Sequence, residues 1–125
     1  MIDAITQSLM DELDITESEA IDKLKGWEIL PVPSGDHTVG HLAKHGNEIH
    51  TALYPEYRMK PITAVIRMYK KLLKTEFFLT TRVQLHNQEA IDISERVGFR
   101  EVRRDDTCVY YWMDETTVLG AKHAA

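Results

Sequence analysis

The chain has 125 residues, of which 43% are apolar and 28% charged, and carries a formal net charge of −5. That length suits one globular domain with a sizeable core, and the composition excludes a disordered chain. The negative balance argues against general nucleic-acid binding, and no apolar run reaches the roughly 20 residues of a bilayer span.

Charge is unevenly spread. From Met1 to Asp22 there are seven acidic residues and no basic one, whereas Arg58 to Lys74 holds six basic residues and no acidic one. The basic stretch reads as a solvated helix face, an attractor for an anionic ligand, or a docking face for an acidic surface. The start, Met1-Ile2-Asp3-Ala4, lacks the basic and continuously apolar pattern of a secretory signal. A cytoplasmic location is expected. The single cysteine, Cys108, excludes an internal disulfide framework and reads as a buried strand residue rather than a nucleophile.

In chain order, Ile2, Ile5, Leu9 and Leu13 fall at helical spacing. A second helix opens at Thr16, where Thr16-Glu17-Ser18-Glu19 matches a capping box, with Ala20, Ile21 and Leu24 as its apolar stripe. Strands follow over 27–33, 38–44 and 48–54, separated by the turns Ser34-Gly35-Asp36 and His45-Gly46-Asn47. Pro31 and Pro33 confine the first of them to an edge. Pro61 suits the first turn of a helix whose buried stripe is Ile62, Val65, Ile66, Tyr69, Leu72 and Leu73. Phe77, Leu79, Thr81, Val83 and Leu85 alternate as a strand, 87–97 forms a helix, and 99–104 with 107–114 form a closing hairpin. The order ααβββαβαββ predicts an α/β (α+β) fold, a mostly antiparallel mixed sheet flanked by helices. A single domain is expected over 1–115, with a flexible tail over 116–125.

Two segments carry a resemblance. Tyr54-Pro55-Glu56-Tyr57-Arg58 reads as a strand end entering a helix, and Asn87-x-x-Ala90-x-x-Ile93-x-Glu95-Arg96-Val97-Gly98-Phe99 as a helix closed by glycine before a strand. Together they resemble the core of the GNAT superfamily of N-acetyltransferases, in style closest to the short, divergent GNAT-like proteins of tailed bacteriophages. The element order is similar to the family's from its first helix pair onward, with the family's opening strand absent.

The resemblance implies acetyl-CoA as cofactor, with no metal. Its diphosphate would sit at a helix start carrying the pattern Gln/Arg-x-x-Gly-x-Gly/Ala. Arg58 matches the first position, while Pro61 and Thr63 replace the glycines. Tyr54, Arg58, Lys60, Thr63 and Asn87 are the implied cofactor-binding residues. Ser94 stands where family members often carry a tyrosine as general acid. On the strand 48–54, Glu48 and His50 share a face with Ala52 and Tyr54, and either is a candidate base.

Because glycines and tyrosine are replaced while packing positions remain, the leading expectation is a GNAT fold with a degenerate site. It would act as a virion- or assembly-associated binding component with a protein partner. The alternatives are an active N-acetyltransferase and a CoA-binding regulatory domain. His37, His41 and His45 recur every four residues, but the glycines around them disfavour a helix, and no partner completes a zinc set. Tyr110-Tyr111-Trp112 reads as strand core and rim.

Overall fold

The computed structural model describes residues 2–57 and 62–118. Its elements are α1 (Ala4–Leu13), α2 (Glu17–Lys23), β1 (Glu28–Ser34), β2 (His37–His45), β3 (Glu48–Leu53), a 3-10 turn (Pro55–Tyr57), α3 (Ile62–Leu72), β4 (Leu79–Gln84), α4 (Gln88–Val97), β5 (Arg100–Arg104) and β6 (Cys108–Met113). Among the described residues this is the expected order, a mixed α/β fold with a six-stranded sheet and four α-helices. Among the described residues no strand precedes α1. The chain forms two compact units, divided between Ala64 and Val65.

In the first unit, Asp3 starts α1 by accepting from the Thr6 amide at 2.8 Å. Thr16 starts α2 with the predicted capping box: its hydroxyl accepts from the Glu19 amide, and its own amide donates to the Glu19 carboxylate. The Thr16 amide, and then the Thr16 hydroxyl donating to the same carboxylate oxygen, hold the Glu19 carboxyl below its ordinary range. Thr16→Ala removes the hydroxyl acceptor and is expected to cost about 1 kcal/mol in urea unfolding, with an unchanged m-value.

The apolar stripes expected of these helices are only partly buried. Ala4, Ile5 and Ala20 are in the core, but Leu13 is 44% and Ile21 53% exposed. The N-terminal turn of α1 meets the sheet, where the Ala4 amide donates to His41 Nδ1 at 3.2 Å, and the far end of α1 leaves it.

β1, β2 and β3 form an antiparallel meander. β1 lies at its edge, as the prolines require, and its register with β2 shifts between Val32 and Pro33, where the missing proline N–H breaks the ladder. The two hairpin turns place Gly35 and Gly46 at φ 61°, a conformation that favours glycine.

In the second unit α3 buries Val65, Met68 and Tyr69, with Leu73 buried just past its end, while Arg67, Lys70, Lys71 and Lys74 are exposed. The Tyr69 ring meets Phe99 edge-on at 5.7 Å, and Phe99 meets Tyr111 at 6.3 Å. Asn87 caps α4 and Gly98 ends it at φ 115°. β6 lies between β4 and β5, antiparallel to both. Phe77, expected on the core face of β4, is instead 94% exposed ahead of the strand. Cys108 is half-buried on β6 rather than fully buried. Of the tail expected over 116–125, residues 116–118 are described: Asp114 accepts from the Thr116 amide and hydroxyl, and Val118 is buried.

Candidate functional site

A carboxylate–imidazole pair able to move a proton lies on one face of β2 and β3. Residues directly opposed on antiparallel strands point to the same side. The register sets His45 against Glu48 and Ala43 against His50. Alternation along β3 then brings Glu48 and His50 together, and His50 Nε2 lies 2.6 Å from Glu48 Oε2. Both side chains are about one-third exposed (35% and 32%), so the pair is shielded yet reachable. An ionised carboxylate only accepts, so Nε2 carries the proton and donates it to Glu48. In a neutral ring Nδ1 is then the nitrogen that carries no proton.

Trp27 completes the group. Its amide donates to the Leu24 carbonyl at 3.0 Å, in the turn that closes α2. From there its ring centroid lies 5.4 Å from that of His50 and 5.2 Å from that of His45. The sequence reading did not assign Trp27 or His45 to this site. The signal for His45 was present in the period-two pairing across the His45-Gly46-Asn47 turn.

His41 and His45 lie on one face of β2, four residues apart with no register shift between them, whereas the shift that skips Val39 separates them from His37. Their surroundings differ. His41 Nδ1 accepts from the Ala4 amide, and His45 packs on Trp27. No group of three or more His, Cys, Asp or Glu that could hold a metal occurs among the described residues.

The expected cofactor residues fall in several places. Arg58 and Lys60, with Pro61, lie outside the described residues. Tyr54 does not join the Glu48–His50 pair; its hydroxyl lies 3.5 Å from His41 Nδ1, with the rings edge-on at 90°. Thr63 is exposed in the first turn of α3. Asn87 is exposed, and its Oδ1 accepts from the Ala90 amide at 3.1 Å, which leaves its amide nitrogen outside the cap.

Ser94 is half-buried in α4, and its carbonyl accepts from the Phe99 amide. The nearby tyrosine is Tyr111 on β6, whose hydroxyl donates to Glu95 at 2.8 Å. Burial and then Glu95 push the Tyr111 hydroxyl well above its ordinary pKa, so it stays a neutral donor holding β6 to α4.

No protein-family model and no curated protein matches the sequence. Solved structures do match. A spermidine N-acetyltransferase from Vibrio cholerae aligns at 16% identity and TM-score 0.62, over 88% of this chain and 78% of that one. A GNAT-family acetyltransferase from Bacillus anthracis aligns at 18% identity and TM-score 0.60, over 89% and 82%. The Campylobacter jejuni N-acetyltransferase PseH, solved with acetyl coenzyme A, aligns at 15% identity and TM-score 0.57, over 84% and 80%. At these identities the likeness is one of fold, and the fold is that of the GNAT acetyltransferases.

Proposed function

We propose that this protein is an acetyl-CoA-dependent N-acyltransferase that uses His50, held by Glu48, to take the proton of an amine acceptor. The observation that carries this reading is the 2.6 Å bond between His50 Nε2 and the Glu48 carboxylate. A histidine with one nitrogen tied to a carboxylate presents the other as an oriented base, and the carboxylate stabilises the imidazolium once the proton arrives. Trp27 limits the motion of the ring.

The donor chemistry suits the cofactor. α3 starts at Ile62, Thr63 is exposed in its first turn, and the amides of a first turn have no helical partner. Arg58 and Lys60 precede that turn in sequence, and guanidinium, ammonium, hydroxyl and free amides are the groups that bind a diphosphate. Bound acetyl-CoA supplies the activated acyl group as a thioester. The chain's own part is to hold the diphosphate, orient the acceptor and move one proton from the amine to His50 Nδ1.

Ser94 favours a second reading, in which the fold binds CoA or a protein partner, such as a component of a larger assembly, without turnover. A serine hydroxyl is too weak an acid to replace a tyrosine as donor to the departing thiolate. Thermal unfolding with and without acetyl-CoA divides the readings. At 100 times its Kd the cofactor adds about 2.7 kcal/mol, a rise of several degrees for a chain of this size. A rise with transfer to amines supports the enzyme, and a rise without transfer supports a CoA-binding domain. No rise at millimolar cofactor removes both and leaves the protein-partner reading.

A further inference from the structure

The three-stranded part of the sheet in the second unit buries one face and leaves the other accessible. Alternation directs Leu79, Val83, Val109 and Tyr111 into the core, where Tyr111 meets Phe99. The opposite face is built in two rows. Thr80 of β4 opposes Trp112 of β6, which opposes Arg100 of β5; Arg82 opposes Tyr110, which opposes Arg103. Arg82, Arg100 and Arg103 are exposed, and the two aromatic rings are half-buried.

Arg103 stands in its row because β5 is irregular. Strict alternation from Arg100 would send Arg103 to the core side. The register instead passes from Glu101 opposite Tyr111 to Arg103 opposite Tyr110, leaving Val102 as the extra residue of a bulge, 63% exposed. A bulge re-aims the side chain that follows it. The Arg103 guanidinium then lies 3.7 Å from the Tyr110 ring centroid, forming a tier of cation on ring. Phe78 extends the other row, its ring 6.2 Å from Trp112 and tilted by 22°. The carboxylate at the margin, Asp105, accepts from the amides of Thr107 and Cys108 and from the Tyr110 hydroxyl, and sits 3.9 Å from Arg103.

We propose that this face binds single-stranded nucleic acid, with bases stacking on Trp112 and on the Arg103–Tyr110 tier and phosphates meeting Arg82 and Arg100. Planar guanidinium forks match phosphate oxygens, and rings at strand spacing offer π-faces that a single strand can use and a duplex hides. An acidic peptide would use the arginines but leave the aromatic tiers without a role. The face lies within β4, β5, β6 and the adjoining Phe78, so the proposal stands apart from acyl transfer. The net charge of −5 opposes long-range attraction of a polyanion, so binding is short-ranged and confined to this face.

The test is fluorescence anisotropy of the full chain with a labelled oligouridine of about 12 nucleotides, a length within the reach of one stacking domain. Saturable binding is expected, displaced by unlabelled single strand but not by duplex or polyglutamate. Trp112→Leu should weaken it roughly ten-fold or more. Arg100→Gln, an exposed change that does not disturb packing, should reduce the log–log salt slope by about 0.7. Should Trp112→Leu unfold, as circular dichroism would reveal, the Arg100 variant carries the test alone. Absence of saturable binding, equal displacement by polyglutamate or duplex, or an unchanged salt slope in Arg100→Gln overturns the proposal. Self-association abolished by Arg100→Gln, without oligonucleotide binding, would identify a second copy as the occupant and overturn it equally.

Discussion

A His50→Gln chain is expected to transfer acetyl groups with a kcat/KM roughly 100-fold or more below the parent, equivalent to about 2.7 kcal/mol of lost transition-state stabilisation. Glutamine keeps a hydrogen-bonding group beside Glu48 but has no basic nitrogen. The loss should therefore fall on the proton-transfer step and leave acetyl-CoA binding unchanged, which a thermal-shift titration of the variant checks. Glu48→Ala leaves the imidazole in place but frees its orientation, because the 2.6 Å bond to Nε2 is gone. A smaller loss is expected there than for His50→Gln. The reverse order would make Glu48 the base and His50 its support. Activity within two-fold of the parent in His50→Gln, with the fold intact, would sink the assignment.

Most of the fold was legible because periodicity writes itself into apolar spacing. The alternation of Leu79, Thr81 and Val83 is strand-like in sequence and buried in the structure. The same alternation includes Phe77, yet β4 begins only at Leu79, which pairs with Met113, the last residue of β6. The length of the partner strand sets that boundary, and no local pattern carries it. Leu13 and Ile21 fail for a related reason: helical spacing marks a face but not how far along the helix a neighbour extends.

The site divides in the same way. Glu48 and His50 are two residues apart, so a strand places them together, and this was readable from spacing. Trp27 and His45 join them only through the turn closed by the Trp27 amide on the Leu24 carbonyl and through cross-strand register, which no local spacing carries. Arg103 is harder still, since nothing in Arg-Glu-Val-Arg-Arg announces a bulge at Val102.

Gly40→Ala is expected to be the most damaging small substitution in the first unit, and Gly40→Val to leave little folded protein. Gly40 sits at the centre of β2, opposed by Val32 on one side and Leu53 on the other. A Cβ there would lie 2.3 Å from the Ala52 carbonyl oxygen and 2.7 Å from Leu53 Cα. Both are backbone atoms, so no side-chain rotation relieves the clash, and β3 itself must move. Overpacking of this kind costs about 1–3 kcal/mol or more, against a total stability on the order of 5–15 kcal/mol. Alanine regains only about 0.5–1 kcal/mol through its lower unfolded-state entropy. Gly35 provides the contrast: its added Cβ meets nothing within 4 Å, and only its φ of 61° opposes alanine. Thermal unfolding should therefore rank parent above Gly35→Ala and Gly35→Ala above Gly40→Ala. A Gly40→Ala midpoint within about 2 °C of the parent would show that β3 yields easily. Any β3 that does yield carries His50 with it, because β2–β3 pairing is what places His50 opposite Ala43 and within reach of Trp27. Gly40→Ala protein that still folds should then lose acetyl transfer well beyond its loss of folded fraction.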